Sequence, residues 1–117
     1  MGVRAPDTGC LEQDLRDYAA AVVRDVSEPD GLAELRRAVA SSAVARDAYV
    51  VERGRRLQEI LDQARERGEH PPEVLDVVDH VVAPMCLRAL LGMGPLTSAY
   101  VDRLVRRVLT LSWPPRP

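Results

Sequence analysis

Lysine is absent from this 117-residue chain, so all sixteen of its basic side chains are arginine. Phenylalanine is absent too, which leaves Tyr18, Tyr49, Tyr100 and Trp113 as the only aromatics. No window holds eighteen apolar residues, which excludes a membrane-spanning helix. The opening "MGVRAPDTGC" lacks the apolar centre of a secretion signal, and the expectation is a soluble, cytoplasmic protein with no membrane partner. Cysteine is scarce: Cys10 and Cys86 lie far apart, with neither a CxxC spacing nor a histidine pair nearby. That pattern speaks against a zinc site and against a disulfide framework, and no metal or cofactor is expected.

A basic surplus is lacking as well. The formal charge is −2, whereas a nucleic-acid binder gathers positive charge on one face. "ERGRR" at 52–56 and "VDRLVRR" at 101–107 are the basic clusters, but Glu52, Glu59, Asp62 and Asp102 lie among them. Both read as solvated helix faces rather than phosphate tracks. Catalytic groupings are missing too. A nucleophile needs a base and an orienting group, and neither His70, in a turn beside two prolines, nor His80, in an apolar stretch, has an evident partner. Asp76 and Asp79 stand three apart on a helix without a second segment to complete a metal site. The chain is therefore not expected to be an enzyme. Exclusive use of arginine with abundant alanine, valine and proline hints at GC-rich bacterial coding.

What is present is helical period with clear punctuation. Proline and glycine collect at the first ten residues, "EPDG" (28–31), "RGEHPP" (67–72), "GMGP" (92–95) and "WPPRP" (113–117), marking breaks between helices. Leu11, Leu15, Tyr18, Val22 and Val26 step by four and three, one face of an amphipathic helix that Asp7 or Thr8 can cap. Ser27 offers the next cap, with Leu32, Leu35 and Val39 behind it and fraying expected near Ser41 and Ser42. A third helix runs from about Val44 to Arg67, with Tyr49, Val50, Leu57, Ile60, Leu61 and Ala64 inward and Gly54 as its weak point. Gly68 suits its C-cap, and Pro71 or Pro72 is placed to open the fourth helix.

The fourth helix is apolar over most of its circumference, through Val74, Leu75, Val77, Val78, Val81, Val82, Met85, Cys86, Leu87, Leu90 and Leu91. A fifth, from Pro95 to about Leu111, repeats the pattern with Leu96, Tyr100, Val101, Leu104, Val105, Val108 and Leu111. Such helices must be covered on most sides, and a second copy of the chain can supply the cover. Pro84 stands in the middle of the fourth helix, where proline costs about 3 kcal/mol by removing a hydrogen bond and clashing with the carbonyl of His80. Two readings stay open: a kink within one helix, or the end of one helix and the start of another.

The segments "DTGCLEQDL" (7–15), "LQEILDQARERGE" (57–69), "VVAPMCLRALL" (81–91) and "PLTSAYVDRLVRRVL" (95–109) together resemble, in order and spacing, the C-terminal domain of TetR-type bacterial transcriptional regulators. In that family a motif of glycine, proline, large apolar residues and arginine recurs; here Ala83 stands for the glycine, Pro84 and Arg88 match, and Met85, Cys86 and Leu87 lie between. The resemblance implies an all-α fold, a five-helix bundle whose last two helices form a four-helix bundle with a partner copy. It implies an N-terminal tail at 1–6, a helical effector-binding and dimerisation domain at 7–112, and a proline-rich tail at 113–117. An effector pocket between the first, third and fourth helices would be lined by Leu15, Tyr18, Val22, Tyr49, Leu57, Leu61, Val78, Val82 and Met85. Aliphatic walls and tyrosine hydroxyls suit a small, mostly apolar effector, although the same stripes also suit an ordinary core.

The implied homodimer interface contains Val81, Pro84, Arg88, Tyr100, Leu104 and Val108. Arg88 reads either as an arginine snorkelling at the bundle edge or as an ion-pair partner, across the dimer, of an acid such as Asp102; the His80 ring reads as packing in the core or the dimer seam, or as a ligand contact. Family members carry a helix-turn-helix head ahead of this domain. Nothing in the chain resembles one, so no specific operator binding is expected of it by itself. The alternative reading is a free-standing helical interaction module that forms mixed dimers with a full-length regulator.

Overall fold

A computed structural model describes residues 9–112, and these contain five helices and no strand. The two tails expected at 1–6 and 113–117, and the caps expected at Asp7 or Thr8, lie outside the described residues. Helix α1 spans Leu11–Ser27 and buries Leu11, Leu15, Tyr18, Ala19 and Val26 on one face, together with the carboxylate of Asp14. Helix α2 spans Pro29–Val39. Its N-cap is Glu28 rather than Ser27, because Pro29, with φ already helical and no N–H to satisfy, takes the first helical position.

Helix α3 is 24 residues long, Ala43–Glu66. Ser42 is not a frayed end: its hydroxyl accepts from the Ala45 N–H and starts α3. The C-terminal half carries Leu57, Ile60, Leu61 and Ala64, all fully buried, whereas residues 43–52 expose nearly every side chain, including Val44 and Val51. At 1.5 Å per residue the helix is about 36 Å long, so it outruns the core and its N-terminal half projects over the outer part of α1 and α2. Gly68 closes the other end with φ +86°, the Glu69 N–H reaching the Ala64 carbonyl at 3.0 Å.

The fourth helix, α4, neither breaks nor stops at Pro84. It runs as an α segment Val74–Val77, a π turn Val78–Val82 and an α segment Ala83–Leu91. The helix begins after Pro71 and Pro72 rather than on them, with Glu73 as N-cap. Within the π turn the Ala83 N–H bonds the Val78 carbonyl, five residues back, while the backbone keeps right-handed helical angles. Widening the turn makes room for the proline ring beside the His80 carbonyl, and Pro84 falls in the first turn of the segment that follows, where a missing N–H is harmless. Helix α5 spans Ser98–Leu109, started by Thr97, whose hydroxyl accepts from the Tyr100 N–H, and followed by a 3-10 turn Thr110–Ser112.

Helix α1 packs against α5, α3 and α2, and α5 against the π turn of α4. The shared core joins Leu15, Tyr18, Leu57, Ile60, Leu61, Val77, Val81, Met85, Leu104, Val105 and Val108. Burying each large aliphatic side chain is worth roughly 1.5–3 kcal/mol. The covering that α4 and α5 require thus comes largely from within the chain: Val81, Leu104 and Val108, expected at a dimer seam, are 1 %, 5 % and 0 % exposed. Within the chain Asp102 pairs with Arg16 of α1 at 3.4 Å, and the Arg88 guanidinium lies over the Tyr100 ring, 4.4 Å from its centroid. His80 faces outward and is exposed, so its ring is no part of the core.

Candidate functional site

Small side chains leave a cavity where α3 outruns the core. Interiors normally close to crystal-like density, but here Ala21 of α1, Ala38 of α2, Gly54 of α3 and Ala83 of α4 face one another with no phenylalanine to fill the gap. The resulting space is ≈ 550 Å³, within the range of small-molecule sites. Its apolar wall is built from Val22 and Val26 of α1, Leu35 and Val39 of α2, Val50 of α3, and Val78 and Val82 of the π turn.

Polar groups enter mainly from α3. Arg46, Tyr49, Arg53 and Arg56 step by three, four and three along one helix face, and all four line the cavity. Arg53 is held in place: Asp25 lies 3.3 Å from one guanidinium nitrogen, Glu34 3.0 Å from the other, and the group sits over the Tyr49 ring, 4.9 Å from its centroid. The Tyr18 hydroxyl donates to the Arg53 carbonyl at 3.1 Å. Burial pushes the Tyr18 phenol up to about 12, and burial likewise raises Tyr49. The Cys86 thiol, which also lines the cavity, is raised by burial and by the charge of Asp25, so it remains a neutral, weakly nucleophilic thiol at neutral pH. Among the described residues no group of three histidine, cysteine or acidic side chains is placed to hold a metal ion, and no helix is long and apolar enough to cross a membrane.

The raised Tyr18 value sets an alkaline limit on the fold. An unfolded tyrosine loses its proton near pH 10 while the folded one keeps it to about 12, so between these values the unfolded state binds fewer protons and stability falls as pH rises. The full contribution is present below pH 10, and on the order of 2–3 kcal/mol is lost by pH 12. Tyr18→Phe should flatten that fall, as read from urea unfolding at pH 9 and pH 11.5. An equal decline in both proteins would count against the buried phenol.

This helical frame, with a ligand-sized space between its first four helices, can be set against known proteins. A family model described as the Tetracyclin repressor-like, C-terminal domain matches residues 5–108. The chain belongs to this family. No curated protein and no solved structure matches it.

In this tetracyclin repressor-like domain the nine pocket residues expected from sequence divide in two. Tyr18, Val22, Tyr49, Val78 and Val82 line the cavity. Leu15, Leu57, Leu61 and Met85 do not: they are 0–2 % exposed and sit in the shared core, because the C-terminal half of α3 lies directly on α1 and α4. The cavity is accordingly displaced toward α2, which supplies Leu35, Ala38 and Val39 and was not among the helices expected to contribute. Arg53, Asp25 and Cys86 were also missed as cavity residues. The signal for the arginines was there in the three, four, three spacing, but a charged face at helical period reads first as solvated. Of the six residues expected at the dimer seam, Pro84, Arg88 and Tyr100 remain half-buried on α4 and α5, beside the exposed Leu87 and Leu91.

Proposed function

We propose that the chain is the effector-binding and dimerisation domain of a transcriptional regulator, taking a small, mostly apolar molecule into the cavity between α1, α2, α3 and α4. The observation that carries this reading is the cavity itself, a ligand-sized, largely aliphatic space whose polar groups come mainly from α3. Membership of the tetracyclin repressor-like family supports it. Tyr18, Val22, Tyr49, Val78 and Val82 are the proposed contacts.

The partner is a second copy of the chain, and the docking face is the outer side of α4 and α5. Pro84, Arg88 and Tyr100 belong to that face, and Leu87 and Leu91, which are 55 % and 64 % exposed, form its apolar centre. Val81, Leu104 and Val108 act beneath it as support. The π turn touches both functions: Val78, Val82 and Ala83 line the cavity, and Pro84 and Leu87 follow on the outer side of the same helix. A bound molecule that shifts the π turn would therefore shift the docking face.

Native mass spectrometry of the 12.9 kDa chain tests both halves. The expected result is a dimer that becomes a monomer in the Leu87→Asp/Leu91→Asp variant, with helix content unchanged by circular dichroism and self-association weakened by at least a hundredfold. A monomeric wild-type chain at tens of micromolar would rule out the proposed partner. Retention or uptake of an apolar small molecule, lost when Val22→Trp fills the cavity, is the outcome expected for the pocket.

A further inference from the structure

The charges around the cavity are not balanced, and they select the chemistry of its occupant. Three guanidiniums, of Arg46, Arg53 and Arg56, line it together with two carboxylates, of Asp25 and Glu52. Both carboxylates are engaged, Asp25 by Arg53 at 3.3 Å and Glu52 by Arg55 at 3.3 Å. Arg53 is further neutralised by Glu34, at 3.0 Å just outside the lining. Among the described residues, Arg46 donates only to the Ser41 carbonyl and Arg56 has no carboxylate within ion-pair distance. Counting Arg55 and Glu34, four guanidiniums face three carboxylates, and the uncompensated positive charge sits on Arg46 and Arg56. These lie ten residues apart on one face of α3, roughly 15 Å at 1.5 Å per residue, flanking the neutralised Arg53.

Below them the wall is aliphatic. A cation would meet the guanidiniums without a free carboxylate to receive it, whereas a neutral apolar molecule would leave them unused. Resting on the effector-pocket reading above, we propose that the occupant is an anionic amphiphile: an aliphatic body against Val22, Val26, Leu35, Val78 and Val82, and a carboxylate received at the α3 face by Arg46 or Arg56.

Isothermal titration of the full chain with three ligands of equal chain length, decanoate, decanol and decylammonium, below their micellar concentrations and at low salt, separates the alternatives. Decanoate should bind at least tenfold more tightly than decanol, with decylammonium the weakest of the three. In Arg46→Gln/Arg56→Gln the preference for decanoate over decanol should shrink to about twofold or less while the decanol affinity stays within twofold of wild type. Equal affinities for decanoate and decanol in the wild-type chain, or tighter binding of decylammonium, would overturn the anionic assignment and leave the effector pocket standing. A preference for decanoate that survives the double substitution would overturn the role of the two arginines. Failure of all three ligands to bind would remove the pocket reading and this inference with it.

Discussion

Gly31→Ala is expected to lower the stability of the domain by about 3 kcal/mol or more, and its midpoint of thermal unfolding by on the order of 10 °C. Alanine is the better helix former by roughly 1 kcal/mol, and Gly31 lies inside α2 with no left-handed backbone angle to protect, so propensity alone predicts the opposite sign. The close approach of two helices decides the matter. A methyl group on Gly31 would stand 1.9 Å from the carbonyl oxygen of Asp25 and 2.8 Å from its carbon. Those are backbone atoms of α1, which no side-chain rotation can move aside. Relief requires α2 to back away from α1, and that separates the walls of the cavity, since Asp25 and Val26 stand on one side and Leu35 and Ala38 on the other. Weakened ligand binding should therefore accompany the lost stability. Equal melting of the alanine variant and the wild-type chain would show that the corner yields freely and that the contact does not define the packing.

Helical period and punctuation made much of the fold legible. The stripe from Leu11 to Val26, the long Leu57–Ala64 face and the glycine stop at Gly68 each have a local cause, and all three stand where the spacing puts them. What the stripes could not reveal is which of their members meet each other. Leu57 and Tyr49 lie on one inward-facing series of α3, yet Leu57 is fully buried while Tyr49 lines an open cavity. The difference arises because α3 is longer than the helices beneath it, a tertiary fact without a local signature. The burial of Val81 and the exposure of Leu87 had the same origin: α4 and α5 are apolar on several sides, and which side is covered depends on how α1 packs against them.

Pro84 illustrates the limit differently. Sequence supplied the conflict, a missing donor and a ring crowded against the His80 carbonyl, but a kink, a break and a widened turn all resolve it. The π turn keeps α4 continuous, so that the segment Ala83–Leu91 follows on from the buried Val77 and Val81. Its position beside the cavity accords with the frequent appearance of such turns at functional sites. The polar furniture of the cavity was hidden for a simpler reason: Arg46, Tyr49, Arg53 and Arg56 have the composition of a solvated surface, Arg46 and Arg56 stay exposed, and it takes the wall opposite them, α1 and α2, to make that face one side of a cavity.

The other large effect expected lies at the opposite end of α1 and concerns a buried charge. Asp14 is 0 % exposed, and the nearest guanidinium nitrogen of Arg67, the C-cap residue of α3, lies 3.9 Å from its Oδ2; Arg67 is held in turn by Glu69 at 2.7 Å. A carboxylate is tolerated there partly because it sits in the first turn of α1, where the helix dipole favours negative charge by about 0.3–1 kcal/mol. That is too little to balance burial, which costs several kcal/mol for an unpaired ion. The Arg67 guanidinium is a charged group placed to offset that cost. Arg67→Met, which keeps the stem and removes the charge, should therefore cost about 3 kcal/mol, whereas exposed pairs on the same helix, such as Arg55 with Glu52, should each be worth 1 kcal/mol or less. Asp14→Asn/Arg67→Met, with no charge left to strand, should recover at least 1 kcal/mol of that loss in a double-mutant cycle. Urea unfolding of the four proteins measures the coupling. Because Asp14 and Arg67 are absent from the cavity lining, ligand affinity should hold constant across the cycle while stability changes. Additive effects of the two substitutions would mean that the carboxylate is sustained by contacts other than that with Arg67.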